Sequence, residues 1–139
     1  MMIKQYENTK IFLDICEKLK EVKNCELEEK ALYGYMVGGL YNKKVFTFAS
    51  YDKDKMNGCL ILTLAQLGSA PCLNVLFVWI DAHYPKLWKE YVEFIDKKAK
   101  ELKVKKIVGI SKRSAKLIER KLGKYGYKKL YNVFAKDVI

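Results

Sequence analysis

Two hydrophobic periods alternate along this chain, and the longest apolar run lies near its middle. Leu73 to Ala82 is almost continuously apolar through Val75, Leu76, Phe77, Val78, Trp79 and Ile80. Apolar residues on both parities predict a strand covered on both faces, hence central in a sheet. From Pro85 the period lengthens. Trp88, Val92, Ile95, Ala99 and Leu102 recur at steps of three and four, and Leu87, Tyr91 and Phe94 widen the stripe. Lys89, Glu90, Glu93, Asp96, Lys97 and Lys100 fill the other side, so the segment predicts an amphipathic helix. Pro85 suits its first turn, where a missing N–H loses no partner.

The flanks carry weaker versions of the same two periods. Asn8 or Thr9 can cap a helix whose stripe is Ile11, Phe12, Ile15, Leu19 and Val22, ending near Asn24. A second helix follows the acidic CELEEK, with Leu27, Ala31 and Tyr35 on one side and Gly34, Gly38 and Gly39 weakening its far end. Val45–Tyr51 and Gly58–Gln66 are rich in strand formers and flank the polar Asp52–Gly58, which predicts a hairpin. LGSAP is the turn into the central strand. Beyond the central helix, Lys105–Ser111 predicts a short strand parallel to the central one by a right-handed crossover. Ser111 or Ser114 can cap a last helix that buries Leu117, Ile118 and Leu122 and stops in the glycines of GKYGY. Tyr127–Val138, with Leu130, Tyr131, Val133 and Phe134, predicts a final strand. The order is that of an α/β (α+β) fold: a mixed central sheet of about 5–6 strands flanked by about 4 helices, in one domain over 1–139.

Charge changes this picture at one place. The chain carries a formal +11, and residues 97 to 129 hold 14 Lys/Arg against Glu101 and Glu119, so the rest is close to neutral. Such asymmetry fits nucleic acid, anionic lipid, a phosphorylated cofactor or a solvated lysine face. Only Arg113 and Arg120 in that stretch are arginine, whereas base-reading surfaces favour the bidentate fork of arginine. Cys16, Cys25, Cys59 and Cys72 show no CxxC spacing, and His83 is the sole histidine, so no metal site is expected. The cysteines read as reduced thiols of a reducing compartment. Met56–Ile80 has no charge, yet Gln66, Gly68, Ser69, Pro71 and Asn74 interrupt it, which argues against a membrane span. The start, MMIKQYENTK, has no signal-peptide pattern, so the expected location is the cytoplasm.

Three stretches resemble the GNAT acetyltransferase superfamily: the hairpin VFTFASYDKDKMNGCLILTLA with Gly58 opening its second strand, Cys72–Leu102 as the acyl-coenzyme A segment, and Ser111–Phe134 with LGKYGY as the closing helix and turn. The resemblance implies that acetyl-CoA lies beside the central strand, its arm pairing with backbone at Val78 and Ile80. It also implies that the diphosphate is held by a Q/R-x-x-G-x-G/A loop at the helix start. The matching segment here, His83 to Lys89, has no glycine, carries Lys86 and Trp88 near the glycine positions, and has Pro85 without an N–H donor. Lys86 and Lys89 can still neutralise phosphate. The family's leaving-thiolate tyrosine falls on Ile118 or Leu122, neither of which donates a proton, with Tyr125 nearby as a substitute. His83, at the strand exit, is the residue type that titrates near neutrality and is a candidate base.

These residues imply an acetyltransferase-like protein with a degenerate acyl-CoA site, non-catalytic, comparable with the short GNAT-like proteins of bacterial viruses. A protein partner, a homo-oligomer or a virion would then be its setting. The alternatives are an active N-acetyltransferase with a divergent diphosphate loop, and a nucleic-acid-binding domain using residues 97–129.

Overall fold

The computed structural model describes residues 2–22, 27–109, 115–130 and 134–138, without the side chains of 115–118. Its described elements are β1 (Lys4–Gln5), α1 (Thr9–Lys18), α2 (Glu29–Asn42), β2 (Val45–Asp52), β3 (Lys55–Leu67), β4 (Ala70–Ile80), α3 (Leu87–Glu101), β5 (Ile107–Gly109) and α4 (Ala115–Leu122). The five strands form one sheet in sequence order. β1 to β4 are antiparallel and β5 joins β4 in parallel. This is the mixed sheet with helices that the sequence pattern predicts. No helix among the described residues is long and apolar enough to cross a membrane, and the uncharged Met56–Ile80 stretch is β3 and β4.

Strand alternation divides the core in two. Ala49, Cys59 and Ile61 meet Phe12, Ile15, Leu32 and Met36 of α1 and α2. Phe48, Leu60 and Leu62 meet Leu87, Tyr91 and Ile95 of α3. Successive strand residues thus face opposite layers, which is why β3 is apolar on both parities.

β4 breaks this rhythm once. Ile61 pairs with Phe77 and Leu62 with Val75, so Leu76 is an extra residue, a bulge. Leu76 and Phe77 consequently pack on the α1/α2 side, while Val75 and Val78 face α3. The inserted residue shifts the phase of the last four residues of β4, including Val78 and Ile80.

Local chemistry sets the boundaries. The Asn8 side chain accepts from Lys10 N at 2.8 Å and caps α1, as the sequence predicts. β2 and β3 turn over Lys53–Asp54, with Lys53 at φ 57, and β3 and β4 over Gly68–Ser69, with Gly68 at φ 65. Positive φ suits two-residue hairpin loops. The first turn is shorter than the sequence suggests, because Met56 and Asn57 belong to β3 and are buried.

Two expectations need correction. α2 does not bury Ala31 and Tyr35; both are exposed, and Leu32 and Met36 are buried instead. The sequence there is apolar all round, so its stripe could not be phased without knowing where the sheet lies. α2 continues through Gly34, Gly38 and Gly39, which lower its helix propensity, to Asn42. A Cβ on Gly39 would lie 2.5 Å from Val45 O, so Gly39 is needed where the helix crosses the start of β2. Finally, the described tail residues 127–130 and 134–138 form no strand, and Phe134 is 91% exposed. Among the described residues, the neighbour such a strand would need, β5, spans three residues, Ile107–Gly109. Tyr131, Val133, Ser111 and Ser114 lie outside the described residues.

Candidate functional site

The junction between β4 and α3 is built as a buried floor and an exposed rim. The floor begins with Tyr91, which is fully buried, and Gly58 on β3. A Cβ on Gly58 would come within 2.8 Å of Tyr91 Cε2 and Oη, so only glycine leaves room for this ring. The Tyr91 hydroxyl lies 2.8 Å from Ser50 Oγ, and Ser50 donates to Asn57 Oδ1 at 2.6 Å. Ser50 has one proton to give, so Tyr91 is the donor in the first contact. Ser50 and Asn57 are each 1% exposed. Burial pushes the Tyr91 phenol well above its ordinary range, and it stays protonated. Asn57 also anchors the strand exit, because its carbonyl accepts from Asp81 N at 2.9 Å.

The rim is the turn Asp81–Lys86. Asp81 Oδ1 accepts from His83 N at 2.9 Å and lies 2.8 Å from His83 Nδ1. These two contacts, the backbone one first, hold the Asp81 carboxyl below its usual pKa. The His83 side chain is 87% exposed, with Nδ1 occupied by Asp81. Tyr84 donates from its hydroxyl to Asp52 Oδ2 at 2.5 Å, tying this turn to the β2–β3 hairpin, and that carboxylate raises the Tyr84 pKa. Tyr84 N bonds Asp81 O and Leu87 N bonds Tyr84 O, so the turn is wound before the helix starts.

Two features make the junction receptive. Lys86, the N-cap residue of α3, makes no side-chain cap hydrogen bond. An uncapped helix start attracts anions. Lys86 and Lys89 are exposed beside it, Lys89 within 4.0 Å of Glu93. Second, β5 pairs with β4 only over Leu73–Val75. Among the described residues, no strand lies on that side of β4 from Leu76 to Ile80. Val78 there is half-buried and Ile80 is 9% exposed.

The predicted residues are only partly brought together. Val78, Ile80, His83, Lys86 and Lys89 all belong to the junction. Tyr125 lies apart in sequence, in the 3-10 turn Gly123–Tyr125 after α4, with Lys124 Nζ 5.2 Å from its ring centre. Leu122 is half-buried, and the Ile118 side chain lies outside the described residues. The aromatic residues near the junction do not form one cluster. Trp79 faces α1 and α2 beneath Lys18, whereas Tyr84 and Trp88 pack into the same layer as Tyr91, with Lys121 Nζ 4.5 Å from the Trp88 ring centre. Ser50 and Asn57 escape a reading of the sequence; Gly58 inside a strand pattern is the one local sign of a close approach there.

No family model matches the sequence, and no curated protein matches it. Solved structures do. A possible acetyltransferase from Clostridium difficile 630 superposes with TM-score 0.76 at 14% identity, over 99% of this chain and 97% of that one. The fold is that of the GNAT acetyltransferases. The aminoglycoside 6'-N-acetyltransferase AAC(6')-IG from Acinetobacter haemolyticus gives TM-score 0.75 at 11% identity, over 100% of both chains. AAC(6')-Iy, bound to the bisubstrate analogue CoA-S-monomethyl-acetylneamine, gives 0.76 at 9% identity, over 99% of this chain and 97% of that one. At these identities the likeness is one of GNAT architecture over nearly the full length.

Proposed function

We propose that this chain is an N-acetyltransferase of GNAT architecture that binds acyl-coenzyme A through a divergent site. The observation that carries the reading is the stretch Leu76–Ile80 of β4, which no strand among the described residues borders on the β5 side and which leads into an α3 N-terminus whose N-cap residue, Lys86, makes no side-chain cap bond. A β-strand edge offers backbone donors and acceptors to an extended amide-bearing chain. A helix start offers N–H groups and a positive dipole end to a diphosphate. Lys86 and Lys89 supply the charge that glycine-mediated backbone contacts would otherwise share. The fit is incomplete in two respects: Pro85 has no N–H, and no glycine lies between His83 and Lys89.

When bound, the coenzyme supplies an activated acyl thioester. The acceptor would be a neutral amine: its nitrogen bonds the acyl carbon, the C–S bond breaks, and the amine proton leaves as the thiolate gains one. The chain's own contribution is to orient the thioester along β4. Without an assigned thiolate acid, proximity would carry most of the rate.

A second reading is a non-catalytic interaction protein on the same scaffold, such as a virion component. It is favoured by the bulky, glycine-free turn and by the resemblance placing the family's acid on Ile118 or Leu122, neither of which donates a proton. One experiment separates the two. Calorimetric titration with acetyl-CoA, followed by thiol release in the presence of polyamine, aminoglycoside and peptide amines, is expected to show saturable binding and turnover of at least one amine. Binding without turnover supports the second reading. No heat and no thermal shift at millimolar acetyl-CoA rejects both a coenzyme site and the proposal.

A further inference from the structure

We infer that the lysine face formed by the second half of α3, the α3–β5 loop and the segment after α4 binds single-stranded nucleic acid by its phosphate backbone. The face lies along the body of α3 rather than at its N-terminus, so the inference does not depend on the coenzyme reading.

Two separate stretches of sequence meet there. α3 changes character along its length: Glu90, Glu93 and Asp96 lie in its first part, and Lys97, Lys98 and Lys100 follow. The loop adds Lys103, Lys105 and Lys106 before β5 begins. The segment after α4 returns along the same helix. Lys121 reaches the Trp88 ring in the first turn of α3, and Tyr127 lies close enough to Asp96 for that carboxylate to raise its phenol pKa, after burial, to about 12. Lys128 and Lys129 therefore follow Tyr127 at the level where α3 turns basic.

Most of the lysines of α3 and the loop form no ion pair among the described residues. Lys97, Lys100, Lys103, Lys105 and Lys106 are exposed and form no ion pair among the described residues. Lys98 alone is paired, with Glu101 at 3.1 Å. Unpaired like charges crowded on one face raise the energy of the folded chain, and a polyanion relieves that repulsion. Lysine holds phosphate as a point charge and does not present the planar fork that reads bases, which predicts binding without sequence preference. Exposed apolar side chains follow the charge along the chain: Leu130, directly after Lys128 and Lys129, is 45% exposed, and Phe134 is 91% exposed. Unstacked bases can lie on such a ring, whereas duplex bases cannot, and this favours a single strand.

The test is fluorescence anisotropy of the full chain with labelled oligo-deoxythymidylate. With about five phosphates neutralised, affinity is expected to fall about 100-fold between ~50 and ~200 mM salt. Lys97→Glu, Lys100→Glu, Lys128→Glu and Lys129→Glu together are expected to weaken binding at least ~10-fold at the lower salt, in line with the loss of phosphate contacts. Lys10→Glu, Lys30→Glu and Lys44→Glu, on exposed positions of the α1/α2 side, are expected to leave it unchanged. Thermal melts confirm that both variants fold. Undetectable binding at low salt, a flat salt response, or wild-type affinity in the first variant would overturn the inference. Equal or tighter binding to polyglutamate, phosphatidylserine vesicles or duplex DNA would also overturn it, by assigning the face to another polyanion.

Discussion

The floor and the rim of the β4–α3 junction are made from similar residue types held in opposite ways. Tyr91 and Tyr84 both donate a hydroxyl hydrogen bond to a residue of β2. Tyr91 does so in the buried core, to a serine that is itself bonded to Asn57. Tyr84 does so at the surface, to the carboxylate of Asp52. The buried bond cannot be exchanged for water and therefore bears on stability; the exposed one can, and orders a turn. The difference implies a rigid base beneath a mouth whose side chains can change without loss of the fold.

Substitutions should separate the two layers, beginning with the largest effect. Gly58→Val inserts side-chain carbon where Tyr91 atoms already lie within 2.8 Å of a Cβ. It is expected to cost about 3 kcal/mol in denaturant unfolding, the upper range for overpacking. Ser50→Ala removes the acceptor of the buried Tyr91 hydroxyl and should cost about 2 kcal/mol. If either variant melted like the wild type, the floor would not be the tight network described.

The titration behaviour should differ as well. The Tyr51 phenol is held neutral by burial and then by Asp14, its pKa pushed up to about 12 from 10.0, and Tyr91 is shifted in the same direction. A raised phenol pKa stabilises the fold fully below pH about 10, and that contribution is lost as pH climbs towards the folded-state value. Asp81 is shifted the other way: its contribution is present above 3.8 and lost as pH falls through its depressed folded pKa. Alkaline melts are therefore expected to lose stability steeply. Acid should mainly break the backbone contact that Asp81 accepts from His83 N, seen as a change in the His83 amide resonance before global unfolding. The smallest effects belong to Tyr84→Phe and His83→Ala, which should leave the melting temperature nearly unchanged. A large loss from either would erase the distinction between the layers.

Much of the fold was legible in the sequence because its period is strong where both neighbours are apolar. The α3 stripe, the hairpin and the parallel return of β5 all follow from spacing alone. The phase of α2 was not legible, because Leu32, Met36, Ala31 and Tyr35 are all compatible with burial until the sheet is placed. Leu76 gives no local sign of being a bulge, since any apolar residue could occupy that position in a strand covered on both faces. At the site, the absence of glycine between His83 and Lys89 was visible at once. The Ser50–Tyr91 and Tyr84–Asp52 bonds were not, because they join residues 41 and 32 positions apart. The apolar alternation after Tyr127 suggested a strand, but alternation cannot supply the partner edge a strand requires.

The central claim is that β4 beyond Val75, bordered on the β5 side by no strand among the described residues, offers its edge to an extended ligand. Residue-resolved amide hydrogen exchange over Leu76–Ile80, with and without acetyl-CoA, measures this directly. Alternate amides in that stretch should exchange fast in the free protein and slow markedly when the coenzyme is added. Full protection without ligand, or fast exchange that acetyl-CoA leaves unchanged, would contradict the account.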